Sequence, residues 1–320
     1  MFTEIFLYPG REIWYTGTKE RKGGYAMEPK KRKGRVLTLV LAVTALLLAV
    51  VTAGLAIYCI PFYGTADDPA PIATDPPEPP PTPAPTEEPE PTLPPPEPNP
   101  YGHLDFQYDR NNHLKLIEGE SLTGIDVSRY QYDIDFEAVK ASGVDFVIIR
   151  LAYRGYESGK IVFDKYAHTN LEKAAEAGLD IGVYFFSQAI TPEEAEEEAY
   201  FVLEAIQDYD LSMPIVFDWE SVSDPNARTA DMDKETLTKC CKAFLDTIQA
   251  AGEWPMLYLN RRQAKYHMDI AQLKDYDFWL AAYTDRMDFP YKIKMWQYTN
   301  TGRVPGIEGD VDINVFFPET

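Results

Sequence analysis

Short apolar runs alternate with longer amphipathic stretches from residue 121 to the end of the chain. Eight of these runs have the length and the β-branched and aromatic content of strands: residues 123–127, 146–152, 181–187, 214–219, 256–260, 278–283, 292–298 and 311–316. Helical spacing and capping residues mark three stretches between them: residues 164–177, 192–209 and 233–251. This alternation predicts an α/β fold, a compact (β/α)8-type (TIM-like) parallel barrel with some helices missing. A doubly wound open sheet is the alternative, although no glycine-rich phosphate loop follows the first strand.

The N-terminal region has a different pattern. Residues 36–60 form a charge-free run that is long enough to span a bilayer core of about 30 Å. The basic cluster at residues 30–35 stands directly before it, which predicts a single transmembrane helix with residues 1–35 in the cytoplasm and the rest of the chain outside the cell membrane. A cleaved signal peptide is the alternative, with a small-residue site at residues 64–66. Met27 directly precedes the basic cluster and is a second candidate for the start of the protein.

Proline marks the segment between the predicted helix and the barrel. Of the 40 residues at positions 61–100, 17 are proline, which predicts a disordered, largely polyproline II linker with a reach on the order of 120 Å. Residues 101–120 alternate roughly around Asn111 and Asn112, which predicts a short lead-in hairpin. The barrel domain is then expected at residues 121–320.

Charge and composition exclude several classes of function. The formal net charge of the 320 residues is −21. The first 60 residues have a net charge of +5, so the part beyond residue 60 is strongly acidic. Such a domain lacks the basic face that nucleic-acid binding needs. The three cysteines, Cys59, Cys240 and Cys241, do not make a disulfide framework. The four histidines have no zinc-binding spacing, and we expect no cofactor and no metal.

Acidic residues gather near the ends of the predicted strands. Asp126 closes the first strand, Asp218 and Glu220 close the fourth, and Asp312 lies in the last. Active sites of (β/α)8 barrels form at the C-terminal ends of the strands. Asp218 and Glu220 are two residues apart, so their side chains point to the same side of the strand. Two neighbouring carboxyl groups suit glycoside hydrolysis, in which one donates a proton and the other stabilises positive charge on the sugar. A solvated strand edge is the structural alternative for this pair.

Aromatic and amide side chains accompany these acids. Tyrosine, phenylalanine and tryptophan at strand ends provide platforms for sugar rings, and the candidates for substrate binding are Tyr184, Phe186, Trp219, Tyr258, Trp279, Tyr283, Trp296 and Gln297. A share of them is expected to belong to the core, and the spacing does not separate the two groups. Asn260, Gln297 and Asn314 are candidates for binding hydroxyl or amide groups or for capping a turn.

Six motifs in order resemble those of family 25 glycoside hydrolases, the Chalaropsis-type lysozymes. They lie at residues 124–128, 182–186, 218–220, 279–283, 296–298 and 311–314, and the resemblance covers about residues 121–318. It implies a flattened, irregular barrel that cleaves the β-1,4 bond between N-acetylmuramic acid and N-acetylglucosamine in peptidoglycan glycan strands. Glu220 matches the family's general acid/base, and Asp218 matches the carboxylate that orients the 2-acetamido group in a retaining reaction. Asp126 and Asp312 match the other active-site acids.

One departure and two competing functions accompany the resemblance. The first motif usually continues with His or Trp and then Gln-Gly, whereas this chain has Arg129, Tyr130, Gln131 and Tyr132 after Ser128. A non-catalytic glycan-binding barrel on a membrane stalk is the main alternative function. A carboxylate-bound Mg²⁺ or Ca²⁺ site acting on another wall bond is the second. The oligomeric state, the physiological role and the choice between retention and inversion are not predicted.

Overall fold

A computed structural model describes residues 94–284 and 286–319 and the backbone of two short N-terminal strands. The chain divides into two units, Met1–Thr86 and Glu87–Thr320. In the first unit, β1 (Ile5–Tyr8) pairs antiparallel with β2 (Arg11–Trp14). The predicted transmembrane segment, 36–60, and the linker up to residue 93 lie outside the described residues. Within the described ranges, no helix has the length and apolar character needed to cross a membrane.

The second unit consists of strands and helices in near-regular alternation. Its strands are β3 (Phe106–Tyr108), β4 (Leu114–Leu116), β5 (Leu122–Val127), β6 (Phe146–Arg154), β7 (Ile161–Phe163), β8 (Asp180–Ser187), β9 (Ile215–Trp219), β10 (Pro255–Asn260), β11 (Asp277–Ala281), β12 (Met295–Gly302) and β13 (Val311–Phe316). Its α-helices are α1 (Phe136–Ala141), α2 (Ala167–Glu176), α3 (Pro192–Ala205) and α4 (Lys234–Ala250). Every predicted strand is present, with ends that differ by up to four residues.

Eight of these strands close into a barrel. Their order is β5, β13, β12, β11, β10, β9, β8 and β6, and pairing of β5 with β6 completes the circle. Strand β7 pairs antiparallel with the last residues of β6. Closure confirms the predicted barrel and excludes the open sheet. The expectation that all strands run parallel is wrong for β13, which is antiparallel to β12 and β5. Only eight residues, 303–310, join β12 to β13, whereas a parallel crossover needs about a dozen or more.

Helices cover one part of the barrel only. Between β5 and β10, each connection from one barrel strand to the next along the chain contains one α-helix. The connection from β10 to β11 contains a short π-helix and a 3₁₀ turn, and the described part of the connection from β11 to β12 contains no helix. The barrel is therefore irregular, as expected. Helix α3 begins as predicted, because Thr191 Oγ1 accepts a hydrogen bond from the Glu194 amide and Pro192 takes the first position. It ends at Ala205 rather than at Tyr209.

Two other helix predictions need correction. Helix α2 begins at Ala167, not at Asp164, because the Asp164 carboxylate binds Arg150 and the Tyr166 amide in a turn before the helix. Helix α1 has no counterpart in the predictions; it has six residues, too few for a periodic signal, and Asp135 caps its start.

The strands present alternate residues to two apolar layers. Inside the barrel lies a cluster that includes Phe146, Val216, Met256 and Met295, while the larger core lies between the barrel and the helices. A Cβ atom at Gly124 would lie 2.1 Å from the Phe146 ring, so this position inside the barrel requires glycine. This two-residue period decides which side chains of β9 and β12 reach the functional end of the barrel.

The predicted lead-in hairpin is confirmed as β3 and β4, which pair antiparallel across a turn where Asn112 has a φ of 62°. The Tyr298 hydroxyl oxygen accepts a hydrogen bond from the Leu114 amide at 3.2 Å and joins the hairpin to β12. The last residues of the predicted linker also contact the barrel, since the Lys292 amide donates to the Glu97 carbonyl oxygen at 2.7 Å. This contact precedes β12 and therefore lies at the end of the barrel where the parallel strands begin.

Tyr132 adopts a backbone conformation that favours glycine, with φ 57° and ψ −128°. Such strain costs about 1–3 kcal/mol, while glycine loses up to about 1 kcal/mol through the entropy of the unfolded chain. We therefore expect Tyr132→Gly to raise the free energy of unfolding by about 1 kcal/mol, measured by urea denaturation. Asn112→Gly is the matched control, because asparagine tolerates positive φ and little gain is expected there. A loss of stability in Tyr132→Gly would contradict the assignment of strain.

Candidate active site

A cleft of about 670 Å³ opens at the end of the barrel where the parallel strands finish. Ten of the twelve residues predicted for the site line it: Asp126, Tyr184, Phe186, Asp218, Glu220, Tyr258, Trp279, Tyr283, Gln297 and Asp312. The strand-end rule for barrels thus places the cleft correctly.

The four predicted acids meet in this cleft. Asp218 is the fourth residue of β9, and Glu220 directly follows that strand. Asp126 lies near the end of β5, and Asp312 lies opposite it as its register partner on β13. Because β13 runs in the reverse direction, Asp312 stands near the start of its strand and still reaches the same end of the barrel. The sequence alone does not show this reversal.

Asp126 is fixed by two side-chain amides. Its Oδ2 accepts hydrogen bonds from Gln297 Nε2 and from Asn314 Nδ2, both at 2.8 Å. Burial, and then the negative charge of Asp312, raise the pKa of Asp126 well above its ordinary value, and the two amide hydrogen bonds oppose that rise. Asp126 is thus a rigid, buried floor of the cleft.

Three aromatic side chains orient these amides. The hydroxyl groups of Tyr258 and Tyr283 donate to Gln297 Oε1 at 2.9 and 3.1 Å, and Trp279 Nε1 donates to Asn314 Oδ1 at 2.8 Å. A glutamine or asparagine whose oxygen accepts in this way must turn its NH₂ group toward the acid. The sequence suggests these aromatics as sugar platforms, and the structure adds a positioning role for their polar atoms.

Asp218 is buried and only partly satisfied. Its Oδ1 has no hydrogen-bond partner within the described residues, although the atom is inaccessible to solvent. Burial raises the pKa of Asp218 well above its ordinary value, and the charges of Glu220 and Asp126 add to the rise, while Arg150 opposes it. A buried polar atom without a partner is costly unless a ligand completes it.

Glu220 stands at the mouth of the cleft with its side chain accessible to solvent. The cleft walls still remove part of its hydration, and this desolvation raises its pKa. Gln188 Nε2 donates to the Glu220 carbonyl oxygen at 3.1 Å, and Gln263 Nε2 donates to the Trp219 carbonyl oxygen. These two side-chain amides hold the turn after β9, so the backbone from which the Glu220 side chain extends is fixed.

A second wall of the cleft contains a buried ion pair. Arg154, at the end of β6, places its Nε 2.6 Å from Glu198 Oε1 on helix α3 and a terminal nitrogen 2.9 Å from Glu197 Oε2. Burial raises the pKa of Glu198 to about 7 against the opposing effect of Arg154. The pair joins the strand end to the helix behind it.

The raised pKa values predict a stability that decreases from mild acid to neutral pH. Burial raises the pKa of Asp312 to about 6 and that of Glu198 to about 7. A carboxyl group with a higher pKa in the folded state stabilises fully below its unfolded pKa, about 4, and loses that contribution as the pH rises through the folded value. We expect urea unfolding to show falling stability between about pH 4 and 7. Asp312→Asn should flatten the fall below about pH 6, and an unchanged slope would refute the assignment.

Two predicted substrate contacts lie elsewhere. Trp219 and Trp296 alternate with Asp218 and Gln297 along their strands, so they point away from the cleft and belong to the core between barrel and helices. Trp219 packs near His267, with ring centroids 5.7 Å apart, and Trp296 Nε1 donates to the Ala282 carbonyl oxygen. Successive side chains of a strand point to opposite sides, so Trp219 and Trp296 must face the core because their neighbours Asp218 and Gln297 face the cleft.

The cleft also contains residues outside the predicted site. Ser128, Arg129, Tyr130 and Gln131 belong to the departure from the family's first motif named above, whereas six others have no counterpart in the sequence predictions: Arg150, Tyr153, Arg154, Tyr156, Glu157 and Ser158. Arg150 carried a usable signal, because it is a charged residue inside the apolar run of β6. The loop residues carry no periodic signal. Asn260 caps a turn, since its Oδ1 accepts from the amides of Arg262 and Gln263.

Within the parts of the chain that the structure describes, no group of three or more His, Cys, Asp or Glu side chains is arranged to hold a metal ion. The cysteines of helix α4, Cys240 and Cys241, are buried and free. Burial raises the pKa of the Cys240 thiol to about 12 and therefore disfavours the reactive thiolate.

Comparison with known proteins decides the family. The model of glycosyl hydrolases family 25 matches residues 125–307, more than half of the chain. The chain belongs to this family. The match includes Asp126, Asp218, Glu220 and Gln297 and ends shortly before Asp312.

Relatives of this family 25 member include lysozymes and autolysins. The uncharacterized protein YegX of Escherichia coli K12 is 28% identical over 208 residues, 63% of this chain and 72% of YegX. The autolytic lysozyme of Clostridium acetobutylicum is 26% identical over 196 residues, 61% of this chain and 56% of that protein. The family and the name of the second relative support peptidoglycan hydrolysis in general terms.

Among solved structures, the modular autolysin LytC of Streptococcus pneumoniae has the same fold, with a TM-score of 0.57 and 29% identity. The match covers 66% of this chain and 50% of LytC, so the chain spans about half of that protein. LytC has also been solved in complex with a synthetic peptidoglycan ligand.

Proposed function

We propose that this chain hydrolyses the β-1,4 bond between N-acetylmuramic acid and N-acetylglucosamine in peptidoglycan. The observation that carries the proposal is the placement of Asp218 and Glu220 on one wall of the cleft, on a family 25 barrel. Asp126 and Asp312 complete the set of acids. Peptidoglycan glycan strands are the proposed substrate, and the names of the lysozyme and autolysin relatives support this choice.

Glu220 is the proposed general acid. Its raised pKa keeps a proton available, and its position at the cleft mouth gives access to the oxygen of the leaving sugar. As the bond from C1 to that oxygen breaks, the Glu220 proton moves to the oxygen and the departing sugar gains a hydroxyl group. Glu220, now ionised, then accepts a proton from the water that attacks C1.

Asp218 is the proposed partner of the substrate's 2-acetamido group. The acetamido oxygen attacks C1 and forms a cyclic oxazolinium ion. This new bond to C1 breaks when water attacks, which restores the acetamido group and retains the configuration without an enzyme nucleophile. The unpartnered Oδ1 of Asp218 would accept the acetamido N–H and stabilise the positive charge. Arg150 favours the ionised form of Asp218, and repulsion between the two neighbouring carboxylates favours a state in which one of them keeps a proton. The proposed mechanism requires this proton on Glu220.

The proposed location is the outer face of the cell membrane, with a single N-terminal helix at residues 36–60 and a proline-rich linker at 61–100. One structural fact supports a tether of this kind. Glu97 contacts Lys292 at the end of the barrel where the strands begin, opposite the cleft, so a tether there leaves the cleft open. Alkaline carbonate extraction of membranes should leave the full-length chain in the pellet. Release into the supernatant would contradict a spanning helix and favour the cleaved signal peptide.

Digestion of purified peptidoglycan by the full-length protein tests the bond assignment. Fragments are reduced with borohydride and identified by mass spectrometry, and we expect reduced muramic acid ends. Reduced glucosamine ends would refute the bond and keep the hydrolase. Binding to peptidoglycan without any fragments, with folding confirmed by circular dichroism, would favour the glycan-binding barrel. We expect full activity after treatment with EDTA, and loss that Mg²⁺ or Ca²⁺ restores would favour the metal-dependent alternative.

A further inference from the structure

The rim of the cleft beside β5 contains a guanidinium group that no carboxylate of the described residues pairs with. Arg129 belongs to the 3₁₀ turn Arg129–Gln131 directly after β5. Its two terminal nitrogens donate to the hydroxyl oxygens of Tyr153 and Tyr130 at 3.0 and 3.2 Å. Its Cζ lies 5.0 Å from the Tyr130 ring centroid and 5.2 Å from that of Tyr153. Neutral groups thus hold this cation in place and leave its charge unmatched.

The other two arginines of the cleft are matched by acids. Arg154 pairs with Glu197 and Glu198, and Arg150 pairs with the buried Asp164 at 2.7 Å. Arg150 lies over the same two rings as Arg129, with its Cζ 5.2 and 5.5 Å from their centroids.

Two guanidinium groups therefore flank one pair of tyrosines, and the carboxylate of Asp164 pairs only with the guanidinium group of Arg150. Asp164 Oδ2 also accepts from the Arg129 amide at 3.2 Å. The local formal charge is +1, in a chain whose net charge is −21. This +1 is the sum over Arg129, Arg150 and Asp164, and it favours an anionic group of the ligand directly beside Arg129, within a cleft that four acids also line.

The position of Arg129 relates this charge to the reaction. Arg129 follows Asp126 by three residues, so their Cα atoms are at most about 11 Å apart. Arg129 lines the same cleft as the four acids, so a glycan strand that extends along the cleft from these acids can reach its guanidinium group. Arginine has five N–H donors, of which the tyrosines use two, so three remain for a carboxylate.

We propose that Arg129, held by Tyr130 and Tyr153, forms a subsite for a carboxylate that the glycan strand carries. The inference rests on the proposed function and adds a preference within it, for acidic over amidated strands. Two sources provide this chemistry, the lactyl ether of muramic acid and an acidic residue of the stem peptide. Arg129 acts on binding and takes no part in bond cleavage.

The test measures binding and cleavage separately. Calorimetric titration of full-length Glu220→Gln, which does not consume its ligand, uses a muramic acid tetrasaccharide with its lactyl carboxylates free or amidated. The same tetrasaccharide with a stem peptide, free or amidated, tests the second source. We expect about ten-fold tighter binding of the acid than of the amide from at least one pair. Arg129→Gln should abolish this preference, Arg129→Lys should keep part of it, and Arg110→Gln, on the exposed turn of the hairpin, should leave it unchanged.

The outcomes separate this inference from the proposed function. Equal affinity of the Glu220→Gln protein for acid and amide in both pairs overturns the subsite, and this comparison does not require Arg129→Gln to fold. A preference that survives in folded Arg129→Gln also overturns it. Cleavage of peptidoglycan by the unsubstituted protein without any acid preference refutes the subsite alone. An acid preference that depends on Arg129, with no cleavage of any strand, refutes the proposed hydrolysis alone.

Discussion

Glu220→Gln is expected to lower the rate of peptidoglycan hydrolysis by about 10³-fold or more while the barrel stays folded. General acid–base catalysis contributes about 10²–10⁴-fold, and glutamine has the size of glutamate without an acidic proton to donate. The Glu220 side chain is accessible at the cleft mouth, so the substitution leaves no buried group without a partner. Release of reducing ends from purified peptidoglycan, with matched protein concentrations, measures the effect.

A control variant and the pKa of Asp218 test whether the loss of activity is specific to Glu220. Glu253→Gln removes an exposed glutamate before β10, at the opposite end of the barrel, and should keep full activity. Glu220→Gln also removes the like charge that raises the pKa of Asp218, so the pKa of Asp218 should fall. Activity in Glu220→Gln within ten-fold of the unsubstituted protein would exclude Glu220 as the general acid.

The strands and the acids of the site follow from the sequence because both depend on local patterns. A charge that ends an apolar run, as Asp126 and Asp218 do, marks a solvated strand edge or a functional group, and the strand-end rule then brings separate runs together at one end of the barrel. The capping residues Thr191 and Pro192 fix the start of α3 for the same local reason. These features require no knowledge of which strands are neighbours.

The other features depend on long-range geometry. The reversal of β13 follows from the short connection after β12, yet the strand pattern of residues 311–316 is the same in either direction. Trp219 and Trp296 have the composition of sugar platforms, and only the side of the strand that faces the cleft excludes them. The subsite around Arg129 combines a turn, a strand and two rings from different segments. No local pattern joins them.

Asp218→Asn is expected to make the protein more stable and the reaction about 10²-fold slower. Asp218 is buried beside Glu220 and Asp126, and burial with these like charges raises its pKa, so its ionised form destabilises the folded state. Asparagine has the same shape without the charge, and the midpoint of thermal unfolding at pH 7 should rise. Loss of a preorganised electrostatic contact in an active site costs about 10²–10³-fold in rate. A variant that loses both stability and activity would indicate a structural role instead.

Substrate participation gives Asp218 a sharper test. The test uses a deacetylated glycan, in which the sugar on the C1 side of the cleaved bond has a free amine instead of the 2-acetamido group. Such a glycan cannot form the oxazolinium ion. If Asp218 acts through the 2-acetamido group, Asp218 has no step to assist in this substrate. Asp218→Asn should then slow hydrolysis of the acetylated strand by about 10²-fold and change that of the deacetylated strand little, because effects on one shared interaction are not additive. The unpartnered Oδ1 of Asp218 is the atom that would accept the acetamido N–H. Equal factors on both strands would show that Asp218 acts on the sugar ring itself, as an electrostatic partner or as a nucleophile, and would exclude the 2-acetamido route.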